Sequence, residues 1–101
     1  MIRPPTPAQS RVLVHLARWL ELSGGLSPSF RQLTAFMGGR AVRTTAEHVH
    51  YLRAKGCVTH VPGRSHTLHL TEAGRTYAKA DAPTLDAEAT RARFAELARV
   101  P

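Results

Sequence analysis

Seven residues in one short stretch carry hydrogen-bonding chemistry at helical spacing: Arg40, Arg43, Thr44, Glu47, His48, Tyr51 and Lys55. Successive residues of a helix stand about 100° apart. A helix from Val42 to Lys55 therefore projects Arg43, Thr44, Glu47, His48, Tyr51 and Lys55 to one side. Val42, Thr45, Ala46, Val49, Leu52 and the stem of Arg53 turn to the other. Donors and acceptors at this density suit the reading of bases, which differ in the groups they present along the major-groove edge. Arg43 can donate two parallel N–H groups to guanine, while Arg40, Thr44, Glu47 and His48 address neighbouring edges. An ordinary solvated helix face has the same composition, so spacing alone leaves both readings open.

A second set suits phosphates, which fix register without reading sequence: Ser29, Arg31, Tyr51, Lys55 and Arg64. Charge distribution supports a polyanionic partner. The chain of 101 residues carries a net charge of +7. Through position 70 nine basic residues stand against two acidic ones, and from 71 onward five stand against five. All the excess charge thus lies in the first seventy residues, where it favours duplex nucleic acid through counterion release. No lysine-rich amphipathic helix points to an acidic membrane instead.

Other chemistries find little support. His48 and His50 are two apart on a helix, and His66 and His69 are three apart on a strand, so each pair points to different sides. No carboxylate completes a ligand set, and no metal site is expected. There is no glycine-rich phosphate loop and no nucleophile context, so neither enzyme activity nor a cofactor is expected. Cys57 is the lone cysteine and reads as a buried reduced thiol. No apolar run is long enough for a bilayer, and the Met-Ile-Arg-Pro-Pro start lacks the apolar core of a signal peptide. The expectation is a cytoplasmic protein.

The elements that position the polar face can be placed by their punctuation. Thr6-Pro7-Ala8-Gln9 is a capping box with proline at the first helical position. The helix it opens carries Val12, Leu13, Leu16, Ala17, Trp19 and Leu20 to about Leu22, with His15 at an exposed edge. Ser23 to Pro28 is a loop whose Leu26 should return to the core. Ser29 and Gln32 form a second capping box for a helix with Phe30, Leu33, Phe36 and Met37 on one face. Gly38 and Gly39 close it. Beyond Gly56 the period shortens, and Cys57–Val61 and His66–Leu70 read as a hairpin around Pro62-Gly63-Arg64-Ser65. Leu68 and Leu70 take one face of it, Thr67 and His69 the other. Thr71 should cap a helix reaching Ala80.

The class is mainly α with a small β-hairpin, in the order of a winged helix-turn-helix with extra C-terminal helices. Residues 1–80 form the winged-helix domain and 81–101 a helical extension. Asp86 to Val100 carries Leu85, Ala89, Phe94, Leu97 and Val100 as a narrow apolar stripe. Too little core is expected to remain to bury it, which makes it a candidate dimerisation helix, with folding back on the first helix as the other reading.

From Thr6 to Leu70 the chain resembles the N-terminal DNA-binding domain of the LexA repressor family. The similar residues are Thr6, Gln9 and Val12, then Pro28-Ser29, Met37-Gly38 and Arg40, then Glu47-His48-Val49, Leu52 and Lys55-Gly56. In the wing they are Val58, Val61, Gly63, Ser65, Leu68 and Leu70. The resemblance implies a third helix in the major groove with the wing on the backbone. Family members read DNA with small polar and acidic residues early in that helix. Glu47 keeps one such position, whereas Ala41, Val42, Arg43 and Thr44 depart, so a different operator is expected. The family's second half is a self-cleaving serine–lysine peptidase, and a chain of this length is expected to lack it. Thr71-Glu72-Ala73-Gly74 also resembles the run that closes the wing in other winged-helix regulators.

These readings converge on a sequence-specific double-stranded DNA-binding regulator, a repressor acting as a homodimer through its last helix. The alternative is a winged-helix protein-interaction module within a larger nucleic-acid-handling assembly.

Overall fold

Reciprocal caps start the first two helices at the positions their sequences mark. The computed structural model describes residues 3–98. Helix α1 spans Pro7–Ser23; the Gln9 N–H donates to Thr6 Oγ1 at 3.2 Å, and the Thr6 N–H donates to Gln9 Oε1 at 3.1 Å. Helix α2 spans Phe30–Phe36, with the same exchange between Ser29 and Gln32 at 3.0 and 2.8 Å. Each box satisfies two backbone donors that a helix start leaves open. Gly38, at φ 80°, takes the left-handed turn after α2 that a side chain would resist. Helix α3 then runs Val42–Ala54.

α1 lies against α2 and α3. Val12, Leu13 and Leu16 of α1 join Leu33, Met37, Val49, Leu52, Cys57, Val58, Leu68 and Ala78 in one buried cluster. Between α2 and α3 a polar bolt crosses this core, where Thr34 Oγ1 meets Thr45 Oγ1 at 2.7 Å with both residues buried. Buried hydroxyls that pair in this way avoid the cost of an unmatched polar group and restrict how the helices cross.

The wing is shorter than its β-prone runs. Strands β1 (Val58–Thr59) and β2 (His69–Leu70) are antiparallel, Val58 opposite Leu70 and Thr59 opposite His69. The expected strands Cys57–Val61 and His66–Leu70 are not paired further, because the Val61 and Leu68 N–H groups are taken by side-chain hydroxyls and His66 adopts φ 61°. Side chains hold the rest. The Thr67 hydroxyl accepts from the Val61 N–H at 3.0 Å and donates to the Arg64 carbonyl at 3.0 Å. His66 Nδ1 lies 3.0 Å from the Ser27 carbonyl, and the Leu68 N–H donates to Ser27 Oγ at 2.9 Å.

Thr71 closes the wing and starts helix α4 (Glu72–Asp81), accepting from the Gly74 N–H at 3.1 Å and donating to the Gly56 carbonyl at 2.6 Å. Gly74 is required there, since a Cβ would stand 1.9 Å from the Cys57 carbonyl oxygen. α4 lies along α1, and a short 3-10 turn (Ala82–Thr84) leads to α5 (Ala87–Ala98).

Four expectations are corrected. The last helix has core to bury against: α5 folds back on α1 and α2, Phe94 lies edge-on to Trp19 at 4.7 Å, and Thr90 is buried. Trp19 is large enough to serve two layers, since it also meets Phe36 edge-on at 5.3 Å. The Val100 end of the expected stripe lies outside the described residues. His15 is buried rather than at an exposed edge, because α2 and α5 cover that side of α1 and Phe36 meets its ring at 5.9 Å. Leu26 is 71% exposed; its carbonyl turns inward to accept from Trp19 Nε1 at 3.1 Å, and the side chain is thereby turned out. The Arg53 stem, placed towards the core by spacing, belongs to an exposed residue.

Candidate nucleic-acid interface

Helix α3 presents its polar side to solvent at its N-terminal half. Arg40, Arg43, Thr44 and Glu47 are exposed, and His48 is half-buried. Thr45, Val49 and Leu52, on the opposite side, are buried and anchor the helix. Arg43 is 93% exposed in its side chain, and its Nε lies 3.8 Å from Glu47 Oε1, one helical turn on. A pair this exposed contributes little to stability. It does keep a donor fork and a carboxylate side by side, a combination able to address a guanine and an adjacent cytosine amino group.

His48 does not stand out from the helix as the other four do. It lines a groove of about 210 Å³ with Arg40 and Thr44, walled by Ala8 and Arg11 of α1 and floored by Thr34 and Thr45. The expected reading set is thus brought together, with His48 at its inner edge.

The phosphate set is more dispersed. Arg31 is exposed on the outer side of α2, and Arg64 is exposed at the wing tip, in a turn closed from the Arg64 N–H to the Val61 carbonyl at 3.1 Å. Tyr51 is 55% exposed, its ring 5.5 Å from His50. Ser29 is half-buried with its hydroxyl oxygen engaged by the Gln32 N–H. Lys55 is turned away from the group: its Nζ donates to Gln9 Oε1 at 2.5 Å and to the Pro4 carbonyl at 3.1 Å. It clasps the chain ahead of α1 against the end of α3.

Three features of this region escaped sequence reasoning. The Thr34–Thr45 bolt joins residues eleven apart that meet only once the helices cross. Gln9 serves both its capping box and Lys55. Arg11 and Arg93 reach the carbonyls at the end of α2. Arg93 comes from α5, and no local pattern marks it.

Burial pushes the Cys57 thiol above its ordinary pKa, against a smaller opposite effect of Lys55, so the thiol is held protonated. Among the described residues no group of three or more His, Cys, Asp or Glu side chains is placed to hold a metal ion. Among them, too, no helix is long and apolar enough to cross a membrane.

The family model of the LexA DNA binding domain matches residues 2–67, which hold α1 to α3 and the first strand and tip of the wing. Curated relatives agree. The chain is 29% identical over 75 residues to the LexA repressor of Shewanella sediminis, covering 74% of this chain and 36% of that protein. It is 30% identical over 71 residues to the LexA repressor of Shewanella piezotolerans, covering 70% and 34%. With the LexA repressor of Pseudoalteromonas atlantica the identity is 32% over 71 residues, again covering 70% and 34%. The chain spans about a third of the length of these curated relatives. No solved structure gives a significant match.

Proposed function

The chain belongs to the LexA DNA binding domain family, and from that premise we propose that it is a sequence-specific double-stranded DNA-binding transcriptional regulator, acting as a repressor. The observation that carries this reading is the exposed cluster of Arg40, Arg43, Thr44 and Glu47 at the start of α3, on a helix anchored through its other face. In the proposed complex α3 enters the major groove by this end. Arg43 donates to guanine, Thr44 and Glu47 meet neighbouring base edges, and His48 reads from the inner side. Arg64 at the wing tip and Arg31 and Ser29 on α2 hold phosphates on either side, with Tyr51 further along α3. Lys55 contributes a phosphate contact only through whatever capacity its bonds to Gln9 and Pro4 leave. The relatives are named repressors, and a protein that covers a promoter needs no catalytic step to act as one. Repression by two chains on a two-fold site is part of the proposal; the apolar side of α5 already faces its own chain, so pairing would use other surface.

Selection of random duplexes on the purified protein tests the proposal. Enrichment of one motif is expected, and a palindrome within it would identify a two-fold dimer. Binding with no enriched motif would overturn sequence reading by α3 and favour the protein-interaction module.

A further inference from the structure

Helix α2 is only seven residues long, and the way its last carbonyls are satisfied is unusual in where the donors come from. A helix leaves its final carbonyls without partners inside the helix, and something else must bond them. Here the Thr34 carbonyl accepts from the Gly39 N–H at 2.9 Å and the Ala35 carbonyl from the Gly38 N–H at 2.9 Å. These two bonds are the turn itself. The next two carbonyls are taken by arginines from other helices: Phe36 by Arg93 Nη1 of α5 at 2.9 Å, and Met37 by Arg11 Nη2 of α1. The Arg93 guanidinium also covers Gly38, lying 3.7 Å from the point a Cβ there would occupy.

Two cations at the negative end of a short helix are favoured by its dipole, and hydrogen bonds from a charged donor are stronger than neutral ones. The turn that sets where α3 begins is therefore gripped from both sides. α5 is itself secured to α1. Arg18 Nη2 donates to the Ala87 carbonyl at 3.1 Å, Arg18 Nε donates to Thr90 Oγ1 at 3.2 Å, and Phe94 packs on Trp19. Arg93 thus refers the turn to the body of the fold from a point beyond the family-matched residues 2–67.

We propose that Arg93 is a positioning residue for DNA reading: it holds the turn between α2 and α3, and so the register of Arg40, Arg43 and Thr44, without touching DNA itself. The proposal rests on the DNA-binding reading above for its consequence, though not for its geometry. It makes the C-terminal extension a working part of the reading head. An agent that lifts α5 would loosen sequence discrimination before it abolished electrostatic binding.

The test compares Arg93→Met, which keeps the stem and removes the donors, with Arg93→Lys and with Arg91→Met, an exposed arginine on the same helix. Two readouts are taken on each full-length protein. The first is amide hydrogen exchange at Gly38 and Gly39, and the second is affinity for a selected duplex against a random one. Arg93→Met should speed exchange at Gly38 and Gly39 and weaken the selected duplex by about tenfold, the scale of one charge-assisted hydrogen bond. The random duplex should change by less than about twofold, since phosphate contacts dominate there. Arg93→Lys should recover most of both losses, and Arg91→Met should show neither. Equal losses on both duplexes with exchange raised throughout the domain would reduce Arg93 to general stability and overturn the proposal. So would an Arg93→Met protein indistinguishable from Arg91→Met. If the wild-type protein preferred no duplex, the DNA-reading proposal would fall, while exchange at Gly38 and Gly39 would still decide whether Arg93 holds the turn.

Discussion

Arg43 and Arg64 divide the proposed work at the level of single residues. Both are exposed, but Arg43 stands beside Glu47 on α3 and Arg64 sits on a turn at the wing tip. Arg43→Ala is expected to cost about 1–3 kcal/mol on the selected duplex and to relax its preference, whereas Arg64→Ala should weaken all duplexes alike. Competition titrations with single-base variants measure both, and equal losses for Arg43→Ala on selected and random duplexes would remove its reading role. His15 shows a residue whose importance is structural. Burial lowers its pKa; the Arg11 carbonyl at Nδ1 opposes this, and the Arg11 and Arg93 guanidiniums reinforce it. The native state therefore refuses a proton that the unfolded chain accepts. The stability linked to His15 is complete above the unfolded value of about 6.5 and is lost as pH falls below it. His15→Leu should shrink the drop in urea midpoint between about pH 7 and pH 5; an unchanged drop would assign acid sensitivity to other groups.

At the scale of elements, closures matter more than lengths. Helix starts at Thr6, Ser29 and Thr71 were legible because a capping side chain and its partner lie within one turn of chain. The wing was legible in kind but not in extent, since the Val61 and Leu68 N–H groups go to Thr67 Oγ1 and Ser27 Oγ instead of the opposite strand, which composition does not mark. Gly74 is the glycine with least room for a side chain, with α4 seated directly on the Cys57 carbonyl. Gly74→Ala should push α4 off the wing root and destabilise the protein by about 3 kcal/mol, within the range for overpacking where backbone must move. Thermal unfolding measures this, and a loss below about 1 kcal/mol would mean that α4 shifts cheaply. The polar side of α3 was legible by periodicity, except that Lys55 turned out to clasp Gln9 and Pro4. That contact spans forty-six residues and has no local signature.

Across the whole molecule, charge and topology act together. The net charge of +7 arises before residue 71, in the part that carries α3 and the wing. If about six phosphates are engaged, log affinity for duplex DNA should fall against log salt with a slope near −5. A filter-binding series at several salt concentrations measures the slope, and a slope near zero would favour a protein partner. The order of elements, the caps, the basic half and the family resemblance were all determined by sequence alone, because they depend on residues near one another in the chain or on simple sums over it. Tertiary structure decided the rest. It placed α5 on α1 and α2 rather than leaving it bare, buried His15, paired Thr34 with Thr45, and brought Arg11 and Arg93 to the end of α2. These contacts join residues far apart in the chain, Arg93 and Phe36 being fifty-seven positions apart and Arg18 and Thr90 seventy-two, and only the packing of the whole core selects which distant donor meets which open carbonyl.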